Sequence, residues 1–181
     1  TETQDLSGAV VETRPVPALD VPAIEAALAP FVGRIRQMPP MYSALHHEGK
    51  RLYELARQGV EVARDPREVL VHSIGLESVA LPDFVVRIRC GKGTYVRAIA
   101  RDMGRALGCY GHVIELRSTR VGPFEEGDAW GLDELADEGE SGYAVSIPAA
   151  DVDADNNYTG DVVALFNQMV NTAKPELRTM A

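Results

Sequence analysis

The sequence predicts an α+β fold with a mixed, mainly antiparallel sheet and helices inserted between its strands. Three observations carry the prediction. Residues 83–90 alternate with period two: Phe84, Val86, Ile88 and Cys90 face one way, Val85, Arg87 and Arg89 the other. From Thr94 to Leu107 the period becomes helical, with Val96, Ile99, Ala100, Met103 and Leu107 on one stripe and Arg97, Arg101 and Arg105 opposite. Residues 112–117 then alternate again. Strands and helices in this order, without a regular βαβ repeat, describe α+β rather than α/β.

Each element has its own local reason. Residues 1–11 are polar, with Gly8, and read as a loop entering a strand over residues 9–12. Asp20 is a suitable N-cap, with Leu19 and Ile24 placed for a hydrophobic staple across it. Ile24, Ala27, Leu28 and Phe31 form a short helical stripe, interrupted by Pro30. Pro39-Pro40 excludes helix and favours an extended path. Residues 50–58 read as a short helix that Gly59 ends. Residues 68–74 are rich in β-branched side chains and read as a strand. Between the strand at 83–90 and the next helix, Gly91 and Gly93 permit a tight turn, Thr94 is an N-cap candidate, and Gly108 suits the helix end. After Phe124 the chain turns acidic. Leu132, Leu135 and Ala136 permit a short helix, 151–160 reads as a polar loop, and Val162, Val163, Leu165, Phe166, Met169 and Val170 suggest a terminal amphipathic helix. The organisation expected is a body over 1–137, with an insertion at about 33–59, and an acidic tail over 138–181. That tail could be a docking helix, a solubilising appendage or unrelated appended sequence.

At 181 residues the chain suffices for one good core. No stretch is long and apolar enough to span a membrane, and the first residues, with Glu2 and Asp5, form no apolar signal region. The chain opens on Thr1 rather than Met, which suggests a piece of a longer protein. Cys90 and Cys109 make neither a disulfide framework nor a Cys-x-x-Cys metal pair, so a reducing cytoplasm is expected. The net charge of -9 hides an asymmetry: residues 1–121 hold 16 basic and 14 acidic side chains, residues 122–181 hold 2 and 13. Eight Lys and Arg fall between Arg87 and Arg120, against Asp102 and Glu115. Nucleic-acid binding needs such a local patch rather than a basic average, although from charge alone a solvated face is the favoured reading.

Two segments carry candidate chemistry. Cys90-Gly-Lys-Gly-Thr-Tyr-Val-Arg97 puts a phenol and a guanidinium at a strand-to-helix junction. It is no P-loop, because Gly93 rather than Ser or Thr follows Lys92 and position 86 is Val. As a bare pattern Gly-Lys-Gly-Thr is an ordinary turn. The second segment, residues 33–53, interleaves Arg34, Arg36, Lys50 and Arg51 with Tyr42, Tyr53, His46 and His47. Cations between aromatics suit a surface that grips phosphates and stacks on bases; tyrosines packed on the body are the alternative. Adjacent His46 and His47 diverge in most backbones, so no metal site is expected.

Three motifs in register resemble the TruB family of bacterial tRNA pseudouridine synthases, which isomerise the T-loop uridine (position 55) of tRNA. The first is Thr1-Glu-Thr-Gln-Asp-Leu-Ser-Gly8. The second is Gln37-Met-Pro-Pro-Met-Tyr-Ser-Ala-Leu45 with Gly49-Lys-Arg-Leu-Tyr-Glu-Leu-Ala-Arg-Gln-Gly59. The third is Cys90 to Arg97 with Asp102-Met-Gly104, Leu107-Gly108 and Val113 to Arg117. The similarity covers roughly residues 1–135, and the second motif resembles the RNA-gripping insertion of the bacterial branch.

The resemblance implies part of a pseudouridine synthase fold and an isomerase needing no cofactor or metal. Its partner would be the T arm of tRNA, its location the cytoplasm, and its state monomeric. It implies roles as well. Arg97 would pair with the catalytic aspartate, Tyr95 would contact the flipped uracil, and Leu116 would pack beneath it. Lys50, Arg57 and Lys92 would meet phosphates; Tyr42 and Arg51 complete the expected RNA-binding set. Taken singly, Arg97 reads rather as a structural ion-pair partner, Tyr95 as a half-buried tyrosine and Leu116 as core; in register with the motifs the functional reading prevails. The family's catalytic Asp, its flipping His and its stacking Tyr lie upstream of the position matching Thr1. Asp5 and Asp102 match non-catalytic positions, and His46 stands where the family often has Lys. The expectation is that this chain alone is inactive. A non-catalytic RNA-binding module, or a fragment that needs its N-terminal half, are the alternatives.

Overall fold

The computed structural model describes residues 1–128 and, as backbone, the strand Gly160–Asn167. Helix α1 (Val21–Leu28) begins where Asp20 accepts a hydrogen bond from the Ala23 N–H at 2.9 Å, as its cap position predicts. A 3-10 turn at Ala29–Phe31 ends it at Pro30. Strand β1 (Gly33–Gln37) follows, then the short strands β2 (His46–His47) and β3 (Lys50–Arg51). The latter two form a hairpin through Glu48 and Gly49, both at positive φ, as a two-residue primed turn requires. Helix α2 (Leu52–Arg57) runs on from β3 and stops before Gly59, whose φ is 72°. Strands β4 (Arg67–Ala80) and β5 (Asp83–Cys90) form a long antiparallel pair. Helix α3 (Val96–Ala106), β6 (His112–Val121), β7 (Phe124–Glu125) and β8 (Gly160–Asn167) complete the order.

Among the described residues six strands make one sheet in the order β1-β4-β5-β8-β6-β7, every pairing antiparallel. The α+β expectation is met. The core is what periodicity predicted for β5 and α3. Phe84, Val86, Ile88 and Cys90 are buried, and against them pack Val96, Ile99, Ala100 and Met103 of α3 with Ile24 and Leu28 of α1. Each buried Val, Leu, Ile, Phe or Met of this set contributes about 1.5–3 kcal/mol of hydrophobic stabilisation. Two glycines bring α3 against the turn before β6: a Cβ on Gly104 would lie 2.2 Å from the Gly111 nitrogen, and one on Gly111 would lie 2.5 Å from the Ala100 carbonyl oxygen.

Three expectations are corrected here, and one strand is added. Residues 9–12 are not a strand; Val10 and Val11 are exposed and the segment has no ladder partner among the described residues. Gly33–Gln37, for which no element was expected, is a strand on β4. The strand expected at 68–74 runs on to Ala80, past irregularities at Val71/Ser73 and Leu76/Ser78 that break its alternation. Residues 160–167 are a strand rather than part of a terminal helix. The β-forming pair Val162-Val163 finds two unsatisfied ladders at β5 and β6, and the segment pairs with both. Met169 and Val170, and the short helix expected near Leu132, lie outside the described residues. No helix among the described residues is long and apolar enough to cross a membrane.

Candidate active site

The site is built from three segments that meet at the start of α3. The first is the turn of residues 1–8. Here Asp5 Oδ1 accepts from Thr3 Oγ1 at 2.6 Å, from the Ser7 N–H at 3.0 Å and from Ser7 Oγ at 2.5 Å. Hydroxyls two residues either side of an Asp favour such a local turn. Gly8 closes it, because a Cβ there would lie 2.3 Å from Thr3 Oγ1. The turn docks on β6, where the Val113 N–H donates to the Gln4 carbonyl at 3.1 Å. With Oδ1 occupied within the turn, Asp5 Oδ2 accepts from Arg97 Nη1 at 2.9 Å.

The second segment is the β5–α3 junction. Gly93 takes φ 77°, and the Thr94 hydroxyl donates to the Gly91 carbonyl at 2.9 Å. Thr94 is therefore not the N-cap it was expected to be. Its hydroxyl closes the turn, and Tyr95 takes the cap position without a side-chain cap bond. Arg97 follows in the first turn of α3. Its guanidinium donates from Nη1 to Asp5 and, at 3.0 Å, to the Thr3 carbonyl, and from Nη2 to the Tyr42 carbonyl at 2.7 Å. Three acceptors from two distant segments thus fix one planar fork.

The third segment is the extended run after β1. Pro39 and Pro40 are buried and have no N–H, so the run can be tied down only through its carbonyls and side chains. The Met38 carbonyl accepts from Arg101 Nη1 at 3.2 Å and the Pro39 carbonyl from Arg64 Nη1 at 2.9 Å. Gln37, 3 % exposed, pairs its carboxamide with the Tyr95 backbone: the Tyr95 N–H donates to Oε1 at 2.9 Å and Nε2 donates to the Tyr95 carbonyl at 3.3 Å.

Electrostatics sort the roles. Burial pushes the Asp5 carboxyl up, but the hydrogen bonds from Ser7 and Thr3, with the Arg97 charge, outweigh it and hold its pKa below the ordinary carboxylate range. At neutral pH Asp5 is an anion that orients Arg97, not a proton donor. Burial pushes His112, at the start of β6, below its usual value, so it is neutral there. The α3 arginine stripe is largely engaged within the chain: Arg101 forks onto Asp102 at 2.7 Å through both Nε and Nη2, and Arg105 reaches the same carboxylate at 3.3 Å.

The residues expected to meet RNA fall into two groups. Tyr95 and Arg97 are half-buried at the junction, with Lys92 exposed on the turn before them. Lys50, Arg51 and Arg57 are exposed on the β2–β3 hairpin and α2, where the guanidinium carbons of Arg51 and Arg57 lie 5.9 and 5.4 Å from the Tyr53 ring centre. Tyr42, half-buried, joins the groups through its carbonyl on Arg97. Leu116 is 49 % exposed on β6, further along the strand from the Val113 N–H that holds the 1–8 turn. Sequence reasoning missed Gln37 as a site residue and Asp5 as the partner of Arg97. The Thr-x-Thr-x-Asp-x-Ser spacing signalled the turn around Asp5, but nothing local signalled what Oδ2 would meet.

The comparisons with known proteins bear on this geometry. The TruB family pseudouridylate synthase (N terminal domain) matches residues 1–96, and the tRNA pseudouridylate synthase B C-terminal domain matches residues 97–143. The tRNA pseudouridine synthase B of Chromohalobacter salexigens is 53 % identical over 125 residues, 69 % of this chain and 41 % of that protein. That of Nitrosococcus oceani is 49 % identical over 135 residues, 75 % of this chain and 44 % of its own. That of Xanthomonas campestris is 48 % identical over 142 residues, 78 % and 46 %. The chain spans less than half the length of these relatives. The matched ranges divide at Val96/Arg97, inside the β5–α3 junction, so the interlocked side chains described above come from both; the chain belongs to the TruB family.

Proposed function

We propose that this chain forms part of a tRNA pseudouridine synthase that isomerises the T-loop uridine. The reaction breaks the bond between the ribose C1′ and the uracil N1 and rejoins the ring through C5, which gives up its proton to solvent while N1 gains one. The observation that carries the reading is the three-fold clamp on Arg97, with Asp5 at 2.9 Å. A guanidinium held this rigidly at a helix start is suited to orient a second carboxylate, which in the family is the catalytic aspartate. Tyr95, two residues before it, contacts the flipped uracil, and Leu116 offers an apolar wall. Lys50, Arg51, Arg57 and Lys92 meet phosphates, and Tyr42 ties the gripping insertion of residues 33–59 to Arg97. Residues 1–137 act as the catalytic-domain portion, and 138–181 are an acidic stretch whose strand β8 joins the same sheet. The protein works in the cytoplasm, as a monomer, on the T arm.

Without a carboxylate for Arg97 to orient, these residues alone turn over nothing. Tritium release from T-arm RNA carrying 5-tritiated uridine tests this: no release by the chain alone is expected, and turnover by it would sink the reading. A non-catalytic RNA-binding module is the second reading, supported by the hairpin cations flanking Tyr53. It requires that the RNA be held but not converted even when the N-terminal portion of a relative is supplied in trans.

A further inference from the structure

We propose that Gln37 is a positioning residue that sets Tyr95 and Arg97 for the uracil; this rests on the function proposed above. In a capping box the third helical residue sends a Glu or Gln side chain back to the N-cap N–H. Tyr95 is the N-cap of α3 and the third helical residue is Ala98, which cannot do so. Gln37 performs that task from β1, 58 residues away in sequence, by accepting from the Tyr95 N–H at 2.9 Å. Its Nε2 also donates to the Tyr95 carbonyl at 3.3 Å, an oxygen that the Ala98 and Ile99 N–H groups share at 3.0 and 3.2 Å.

One carboxamide thus grips both polar groups of a single peptide residue and fixes its backbone at φ -98°, ψ 102°. That backbone aims the Tyr95 ring and sets the rotation of the first turn, and hence the direction of Arg97. Gln37 is itself immobilised, being 3 % exposed and paired with Arg67 at the end of the β1–β4 ladder. The residues after it return to α3 through Met38 on Arg101 and Tyr42 on Arg97. Gln37 is therefore the fixed end of a strap that crosses the helix start, and its amide registers the strap against the site.

The test uses the full chain and two RNAs: a T-arm hairpin with its target uridine, and the same hairpin with an abasic nucleotide at that position. Wild-type protein binds the first more tightly. Gln37→Met keeps the volume without either hydrogen bond. It reduces the uridine-dependent gain at least about fivefold and leaves abasic-hairpin binding within about twofold. Gln37→Glu keeps an acceptor for the Tyr95 N–H and recovers part of the gain. In parallel, amide exchange at Tyr95 accelerates about tenfold or more in Gln37→Met and less in Gln37→Glu, while exchange in β5 is unchanged. Unchanged Tyr95 exchange in both variants, equal weakening on both hairpins, or unfolding of both variants overturns the proposal, since Gln37 is then indifferent or merely structural. A wild-type chain with no preference for the uridine overturns the proposed function instead, and the exchange measurement still decides the role of Gln37.

Discussion

The β5–α3 junction and the β2–β3 hairpin both present cations, but they hold them in opposite ways. At the junction Arg97 has three acceptors and sits 25 % exposed against an Asp5 that is 28 % exposed. At the hairpin and on α2, Lys50, Arg51 and Arg57 are exposed, two of them lying over a tyrosine ring. A cation held by three acceptors is suited to orient a reacting group, while a solvated cation with rotamer freedom is suited to a mobile anionic partner. Count and spacing of charges do not distinguish the two; partners do. The run of eight basic residues between Arg87 and Arg120 looks like one patch in sequence, yet much of it is committed to the protein's own carboxylates and carbonyls.

The contrast predicts that junction substitutions act on stability and hairpin substitutions on affinity. The largest effect is expected for Arg97→Ala, which removes three hydrogen bonds and leaves Asp5 uncompensated, costing about 2–4 kcal/mol in a urea titration. Arg97→Lys should restore less than half, because an ammonium cannot fork. A cost below about 1 kcal/mol for the Ala variant would remove the distinction between the two regions. Next is Gly104→Ala, where the new methyl meets backbone at 2.2 Å, for about 1–3 kcal/mol of destabilisation by the same method.

At the hairpin the pair Lys50→Ala and Arg57→Ala should leave stability within about 0.5 kcal/mol. Each should reduce the salt slope of T-arm binding by about one counterion, with little effect on any uridine preference. An unchanged slope would show that these cations do not touch phosphates. The smallest effect is the pH dependence of the junction. Because the Asp5 pKa is lowered on folding, its contribution is present above the usual carboxylate range and is lost as pH falls below about 4. His112, lowered by burial, acts in the same direction from about pH 6.5 downward. Thermal melts of wild type and Asp5→Asn across this range should converge at the acid end; parallel curves would deny Asp5 its part.

What was legible in the sequence was local. Phe84 to Cys90 and Val96 to Met103 announce strand and helix because each buries a regular stripe. Gly33–Gln37 alternates as well, but with Ile35 its single large apolar residue the signal lay below recognition. Gly160–Asn167 has an apolar pattern that suits either period, and its strand identity comes from the ladders it joins. The motifs put Tyr95 and Arg97 at a strand-to-helix junction, where the two stand at the N-cap and in the first turn of α3. They could not supply Asp5 or Gln37 as partners, because those contacts span 92 and 58 residues and no short-range period encodes a pairing at that separation. Local periodicity also could not tell that Thr94 would turn back on Gly91 and leave the cap position to its neighbour.

The proline-bounded run after β1 has a consequence for transplantation. Its path is written largely outside itself, in Arg64, Arg97 and Arg101, whose guanidiniums receive the carbonyls of Pro39, Tyr42 and Met38. A chimera that imported residues 37–42 into another scaffold would carry the rope without its cleats. The unit that can be moved between proteins is the run together with those three arginines and the start of α3.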